Sequence, residues 1–150
     1  MLSDKIRTLD LPRPLSVESG TSVRQVIKKV QRERANCVLI TSTNRLIGII
    51  TERDVLMKIV ARDVDYEEPV DNFMTREPLT LTPDHTIAEA ITLMNEEGFR
   101  HIPIIDSKTG EATSIFSVQE VINYLAEAHP EQVLNLPPRP HQLMTTPEGG

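Results

Sequence analysis

In the stretch Gly48-Ile49-Ile50-Thr51-Glu52-Arg53-Asp54, a hydroxyl and a carboxylate stand three residues apart, directly behind two branched apolar residues. Such a run reads as the end of a buried strand feeding straight into a helix, with Thr51 at the N-cap and Asp54 in the first turn. The spacing satisfies a capping box, in which hydroxyl and acid cover backbone N–H groups at the helix start. A capping box prefers Glu or Gln at the third position, however. The shorter aspartate suits a carboxylate held out to accept two hydroxyl protons, as from a ribose diol. Both duties are open to the pair. The device recurs 66 residues later in Ser114-Ile115-Phe116-Ser117-Val118-Gln119-Glu120, with Ser117 as the hydroxyl and Glu120 as the acid.

Other chemistries lack their residues. There is no G-x-S-x-G, no H-E-x-x-H, no glycine-rich loop ending in Lys-Ser/Thr and no cysteine with a plausible histidine partner, so catalysis and a catalytic cofactor are not expected. Histidines at 85, 101, 129 and 141 are too scattered for a metal site. A net charge of −6 argues against nucleic acid or an anionic membrane as the main partner. Apolar runs such as Cys37-Val38-Leu39-Ile40 are too short to cross a bilayer, and the N-terminus lacks a signal-peptide core. A single cysteine, Cys37, fits a reducing cytoplasm and reads as a buried small hydrophobe.

The elements that must place the two acids follow from periodicity. Residues 1–11 form a mildly amphipathic lead-in that Pro12 and Pro14 break, and residues 12–63 hold the first unit. Leu15-Ser16-Val17 reads as a short strand. Ser22 is placed to cap a helix whose apolar stripe is Val23, Val26, Ile27 and Val30, with Lys28, Lys29, Gln31 and Arg32 on the solvated face. Cys37–Ile40 and Leu46–Ile50 form a hairpin about Ser42-Thr43-Asn44, and the helix after Thr51 is expected to turn Val55, Leu56, Ile59 and Val60 inward. Met57, Met74 and Met94 read as core filler.

After an acidic linker, residues 64–72, the pattern returns over 73–129. Pro78-Leu79-Thr80-Leu81-Thr82-Pro83 answers Pro14–Ser19 at an offset of 64, and His101–Ile105 answers Asn36–Ile40 at 65. The expected fold is thus α/β in the α+β sense: two β-α-β-β-α repeats about a pseudo-twofold axis, with a cleft lined by both helix starts. Residues 130–150 carry five of the eleven prolines and are expected to be an extended tail, docked at least as far as Pro138 through Val133, Leu134 and Leu136.

The duplicated unit, the Gly48–Val55 stretch, Met74-Thr75 before Pro78–Leu81, and Arg100-His101-Ile102-Pro103-Ile104-Ile105-Asp106 together resemble a tandem CBS (cystathionine β-synthase) domain pair over about residues 8 to 128. The resemblance implies a stand-alone regulatory module that binds AMP, ADP or ATP, or in some members S-adenosylmethionine or NAD. It also implies a homodimer that signals to a regulated protein. Carried over, Thr51 and Asp54 hold the ribose, and Arg100, His101 and Arg53 meet phosphate. Adenine is expected against Ser16, Val17, Asn36, Cys37, Val38 and Ile49. The second site, with Thr80, Ser117 and Glu120, departs from the pattern: Ser114 replaces the glycine, Glu120 the aspartate, and Ala35 and Asn36 stand where Arg100 and His101 stand in the other half. One good site per chain is expected. The alternative is a constitutive dimeric adaptor in which Thr51 and Asp54 only cap a helix.

Overall fold

The structure, a computed structural model, describes residues 3–133. In the first repeat β1 (Ser16–Glu18) lies parallel to β2 (Cys37–Ser42), which pairs antiparallel with β3 (Arg45–Thr51). Between β1 and β2 runs α1 (Val23–Glu33), capped by the Ser22 hydroxyl on the Gln25 N–H as its sequence implies. Thr43 and Asn44 both adopt positive φ, 51° and 66°, the twist a two-residue hairpin requires. β4 (Thr75–Arg76) adds to the far edge of this sheet opposite Gly48 and Ile49.

The second repeat follows the same plan: α3 (Ile87–Glu97), β5 (His101–Ile105), β6 (Ala112–Ser117) and α4 (Val118–Ala128). Its first strand is reduced to one parallel bridge between Leu81 and Ile104, carried by hydrogen bonds Leu81 N to Pro103 O and Ile105 N to Leu81 O. Pro78 and Pro83 bracket that stretch and have no N–H to extend it.

Alternation along the strands assigns each face. Val38, Ile40 and Ile50 turn to the helices of their own repeat, whereas Cys37, Leu39 and Ile49 pack with Ile115 of the other sheet. The two sheets therefore meet face to face, and each keeps its helices outside.

Three expectations are corrected. The helix after Thr51 begins as α2 (Glu52–Asp54) and continues as wider π-helical turns, Val55–Val60, closed by Ala61 N to Leu56 O. The wider winding rotates the apolar stripe out of phase. Ile59 stays buried, but Leu56 and Val60 are 58% and 59% exposed, and Met57 is exposed rather than core filler. The tail does not begin extended: Pro130–Val133 forms one helical turn, α5, with Pro130 at the first position where its missing N–H costs nothing. The rest of the expected tail, including Leu134, Leu136 and Pro138, lies outside the described residues. The lead-in, for which the sequence suggested no packing partner, packs on the second repeat rather than the one it precedes.

Ile6 is buried with Ile87, Ala90, Met94, Ile102, Ile104 and Phe116 of the second repeat. Its N–H meets His85 O, and Ile87 N meets Asp4 O. At an offset of 64 the linker does the same for the first repeat: Val70, fully buried, donates to Thr21 O while Val23 N meets Glu68 O. Each repeat is closed by the segment that precedes the other. Ile6→Ala should cost about 2–5 kcal/mol in urea unfolding, the penalty of a core truncation, although the residue lies far along the chain from the repeat it fills.

Candidate functional site

A cleft of about 1140 Å³ opens between the two repeats, lined by both strand-to-helix junctions. From the first repeat come Asn36, Ile49, Thr51, Glu52, Arg53, Asp54 and Leu56; from the second, Arg100, His101, Ser117, Val118 and Ile122 among others. The placement has a local cause at each junction. Glu52 N donates to Asn36 O and, in the other half, Val118 N donates to Arg100 O, so each helix start is tied to the head of the preceding strand of its own repeat. Gly98, at φ 73°, ends α3 in the left-handed conformation and lets Phe99 and Arg100 turn into the cleft.

The Thr51–Asp54 capping box is formed. Asp54 Oδ2 accepts from Thr51 N at 3.0 Å and from Thr51 Oγ1 at 3.2 Å, and Asp54 N donates back to Thr51 Oγ1 at 3.3 Å. Oδ1 faces the ammonium of Lys58 at 3.4 Å. The carboxylate is only 18% exposed; Oδ2 already accepts two bonds, and Oδ1 retains a lone pair for a hydroxyl from the cleft. Lys58 lies one helical step beyond the acid and was not singled out from the sequence. The i,i+4 Asp–Lys pairing was there to be seen.

Arg53 and Arg100 are exposed and make no ion pair among the described residues; in particular Arg100 is not spent on Glu96 or Glu97. His101 is half-buried. Burial holds its imidazole below the usual histidine range, with Glu52 pulling upward and Arg100 downward. Two cations and a neutral imidazole thus share the cleft with Glu52 and with Asp54, whose charge Lys58 already balances.

The adenine expectations are only partly met in space. Asn36 and Ile49 line the cleft, but Val38 is 1% exposed in the core of its own repeat, and Cys37 is buried between the sheets, where burial first and Glu52 second push its thiol up to about 11. Ser16 and Val17 line a different cavity, of about 810 Å³, beside Gln25, Lys28 and Arg32. Thr75, Pro78, Leu79 and Phe99 take their place in the cleft. The exchange of segments between repeats explains the error: the strand-entry segment beside Asp54 belongs to the other half. Thr80 follows that segment but does not line the cleft, so its assignment to the second site has no support from the lining.

The second half-site is not a replica. Ser117 is buried and lines the same cleft, but its hydroxyl makes no cap bond, and Glu120 does not line the cleft. Burial, Asp10 and Glu127 together hold the Glu120 carboxyl above the usual range. An anion would meet carboxylates there. Gly48 has a packing reason of its own, since a Cβ at that position would collide with Met74 Sδ and Cγ.

The CBS domain model matches residues 6–61 and 70–127, both repeats in turn. The chain belongs to the CBS domain family. An uncharacterized 17.7 kDa protein of Acidianus ambivalens is 30% identical over 132 residues, 87% of this chain and 79% of that one. Longer CBS domain-containing proteins of Arabidopsis thaliana match too, with 21% of the length of one such relative covered. Among solved structures, a CBS domain protein of Pyrobaculum aerophilum complexed with AMP superposes at a TM-score of 0.75 with 19% identity, covering 89% of this chain and 100% of that one. A CBS domain pair in complex with 5′-methylthioadenosine and S-adenosyl-L-methionine reaches 0.74 with 18% identity, over 83% and 97%. These likenesses show the fold of a CBS pair. No helix among the described residues is long and apolar enough to cross a membrane, and no group of three metal-ligating side chains occurs among them.

Because folded His101 binds its proton less readily than the unfolded chain, its contribution to stability is present above about pH 6.5 and is lost as pH falls through the lower, folded value. Urea midpoints measured from pH 7.5 to 5 should fall more steeply in the wild type than in His101→Gln.

Proposed function

We propose that this CBS pair is a regulatory module whose inter-repeat cleft binds an adenosine nucleotide, AMP, ADP or ATP, at one good site per chain. One observation carries the reading: a half-buried carboxylate and hydroxyl from the first repeat share a cleft with Arg100 and His101 from the second. Ribose hydroxyls would donate to Asp54, and phosphate would reach the guanidinium groups of Arg100 and Arg53 with His101 beside them. The base would lie against the apolar wall of Ile49, Pro78 and Leu79. Solved CBS pairs of the same fold, one with AMP bound and another with 5′-methylthioadenosine and S-adenosylmethionine, support the adenosine class. The acidic surroundings of Glu120 support a single anionic ligand rather than two. A ligand touching both repeats biases the angle between them, and a partner protein reads that change. The role is regulatory rather than catalytic, in a reducing cytoplasm.

A second reading has its own observation. Both oxygens of Asp54 are already engaged, by the cap and by Lys58, so the pair could serve the helix alone and leave the protein an adaptor. Calorimetric titration with AMP, ADP, ATP, S-adenosylmethionine and NAD separates the two. On the sensor reading, Asp54→Ala weakens nucleotide binding about ten- to a hundredfold, the worth of a charge-assisted hydrogen bond. A folded protein indifferent to all five ligands would leave the adaptor.

The reading includes a homodimer. Leu56, Met57 and Val60 are exposed on the first repeat's helix, and Val118, Ile122 and Leu125 on α4; of these Leu56, Val118 and Ile122 line the cleft. Placing a charge there, as in Ile122→Glu, should convert a dimer to monomer in sedimentation equilibrium without loss of helicity. A monomeric wild type would refute the assembly.

A further inference from the structure

We propose that Lys58 is a positioning residue that ties the cleft acid to the segment joining the two repeats, so that occupancy of Asp54 is felt by that segment. The ligand half of this rests on the reading of Asp54 as a ribose acceptor; the tie itself does not.

The Lys58 ammonium has two protein partners among the described residues, a carboxylate that it pairs with and a carbonyl that accepts from it. It lies 3.4 Å from Asp54 Oδ1 and donates to the carbonyl of Phe73 at 3.2 Å. Phe73 starts the stretch that crosses from one repeat to the other. Met74 follows, buried against Gly48; Thr75 and Arg76 pair with Ile49 and Gly48; Glu77 N donates to Ile47 O; and Pro78 and Leu79 reach the cleft wall. One ammonium thus bridges the acid and the backbone of the segment that leads to the cleft wall. Asp54 Oδ2 already accepts two bonds from Thr51, so Oδ1 is the oxygen with room for a ligand hydroxyl, and Lys58 is the charge that holds it.

The other repeat lacks the bridge. At the offset of 66, Lys58 corresponds to Tyr124, whose hydroxyl is buried with no hydrogen-bond partner among the described residues, and Asp54 corresponds to Glu120, which sits among carboxylates. A phenol cannot neutralise an acid as an ammonium does. The tie therefore belongs to the Asp54 half alone, the half with the formed capping box.

The test compares wild type, Lys58→Met and Lys58→Arg by amide hydrogen exchange without ligand, with thermal unfolding as a check on the fold. Methionine keeps the stem and removes the charge; arginine keeps a donor for both acceptors. Amides of Phe73, Met74 and Glu77 should exchange roughly tenfold faster in the methionine variant, the effect of losing one charge-assisted bond at a partly exposed site, and return toward wild type in the arginine variant. Equal exchange in wild type and Lys58→Met, or loss in both variants alike, overturns the tie. Titration with AMP and 2′-deoxy-AMP adds the ligand half: Lys58→Met should weaken AMP about three- to tenfold and leave the deoxy compound unchanged, collapsing the preference for a diol. An equal loss for both compounds overturns the positioning role. A wild type that binds neither refutes the proposed function, while the exchange data still decide the tie.

Discussion

Each repeat is too small to close its own core, and the whole arrangement depends on how that shortage is met. A unit of about 55 residues leaves one sheet face and one edge uncovered. Sheet packing through Cys37, Leu39, Ile49 and Ile115 covers the faces, and the preceding segments of the chain cover the remainder crosswise, Ile6 in the second repeat and Val70 in the first. Neither half is complete alone. The crossing also puts Pro78 and Leu79, which open the second repeat, against the acid of the first, so the cleft is shared by construction rather than by the docking of two finished domains.

Within that cleft the decisive balance is electrostatic. Asp54 is buried enough for its charge to matter, yet it is neutralised by Lys58 and fixed by Thr51. A neutralised acid beside Arg53 and Arg100, which make no ion pair among the described residues, leaves a positive excess over Glu52 where phosphate can be held and a polar acceptor where hydroxyls can be read. Glu120 has the opposite surroundings. Asp10 and Glu127 add charge of its own sign, and Ser117 makes no cap bond of the kind Thr51 makes. Two halves that share a plan thereby offer different sites.

What the sequence disclosed was what repeats and local rules encode. The duplication, the strand-helix order, the Ser22 and Thr51 caps and the cleft at paired helix starts are all legible from periodicity and spacing. The family resemblance added Arg100 and His101, which the structure brings to the same cleft as Asp54. Crosswise closure was not legible, because no local pattern says that Ile6 belongs with Phe116. From that one gap came the misplacement of Ser16 and Val17. Val38 failed for a different reason: in a strand with both faces covered, apolar identity does not tell which face a residue takes. The π-helical turns over Val55–Val60 were hidden likewise, since Val55, Leu56, Ile59 and Val60 have the spacing of an ordinary amphipathic stripe.

Those turns connect the cleft to the surface. Leu56 and Ile122 each line the cleft and are each exposed on the apolar face beside it, one on either repeat. A regular α-helix at 52–60 would have turned Leu56 and Val60 toward the core; the wider winding presents them outward while keeping Ile59 anchored. On the reading proposed above, the same helices hold the ligand and form the contact with a second copy, so a change in the angle between repeats moves the cleft walls and the assembly face together. A sensor built this way needs no long pathway between input and output, because the two surfaces are opposite sides of the same two helix starts.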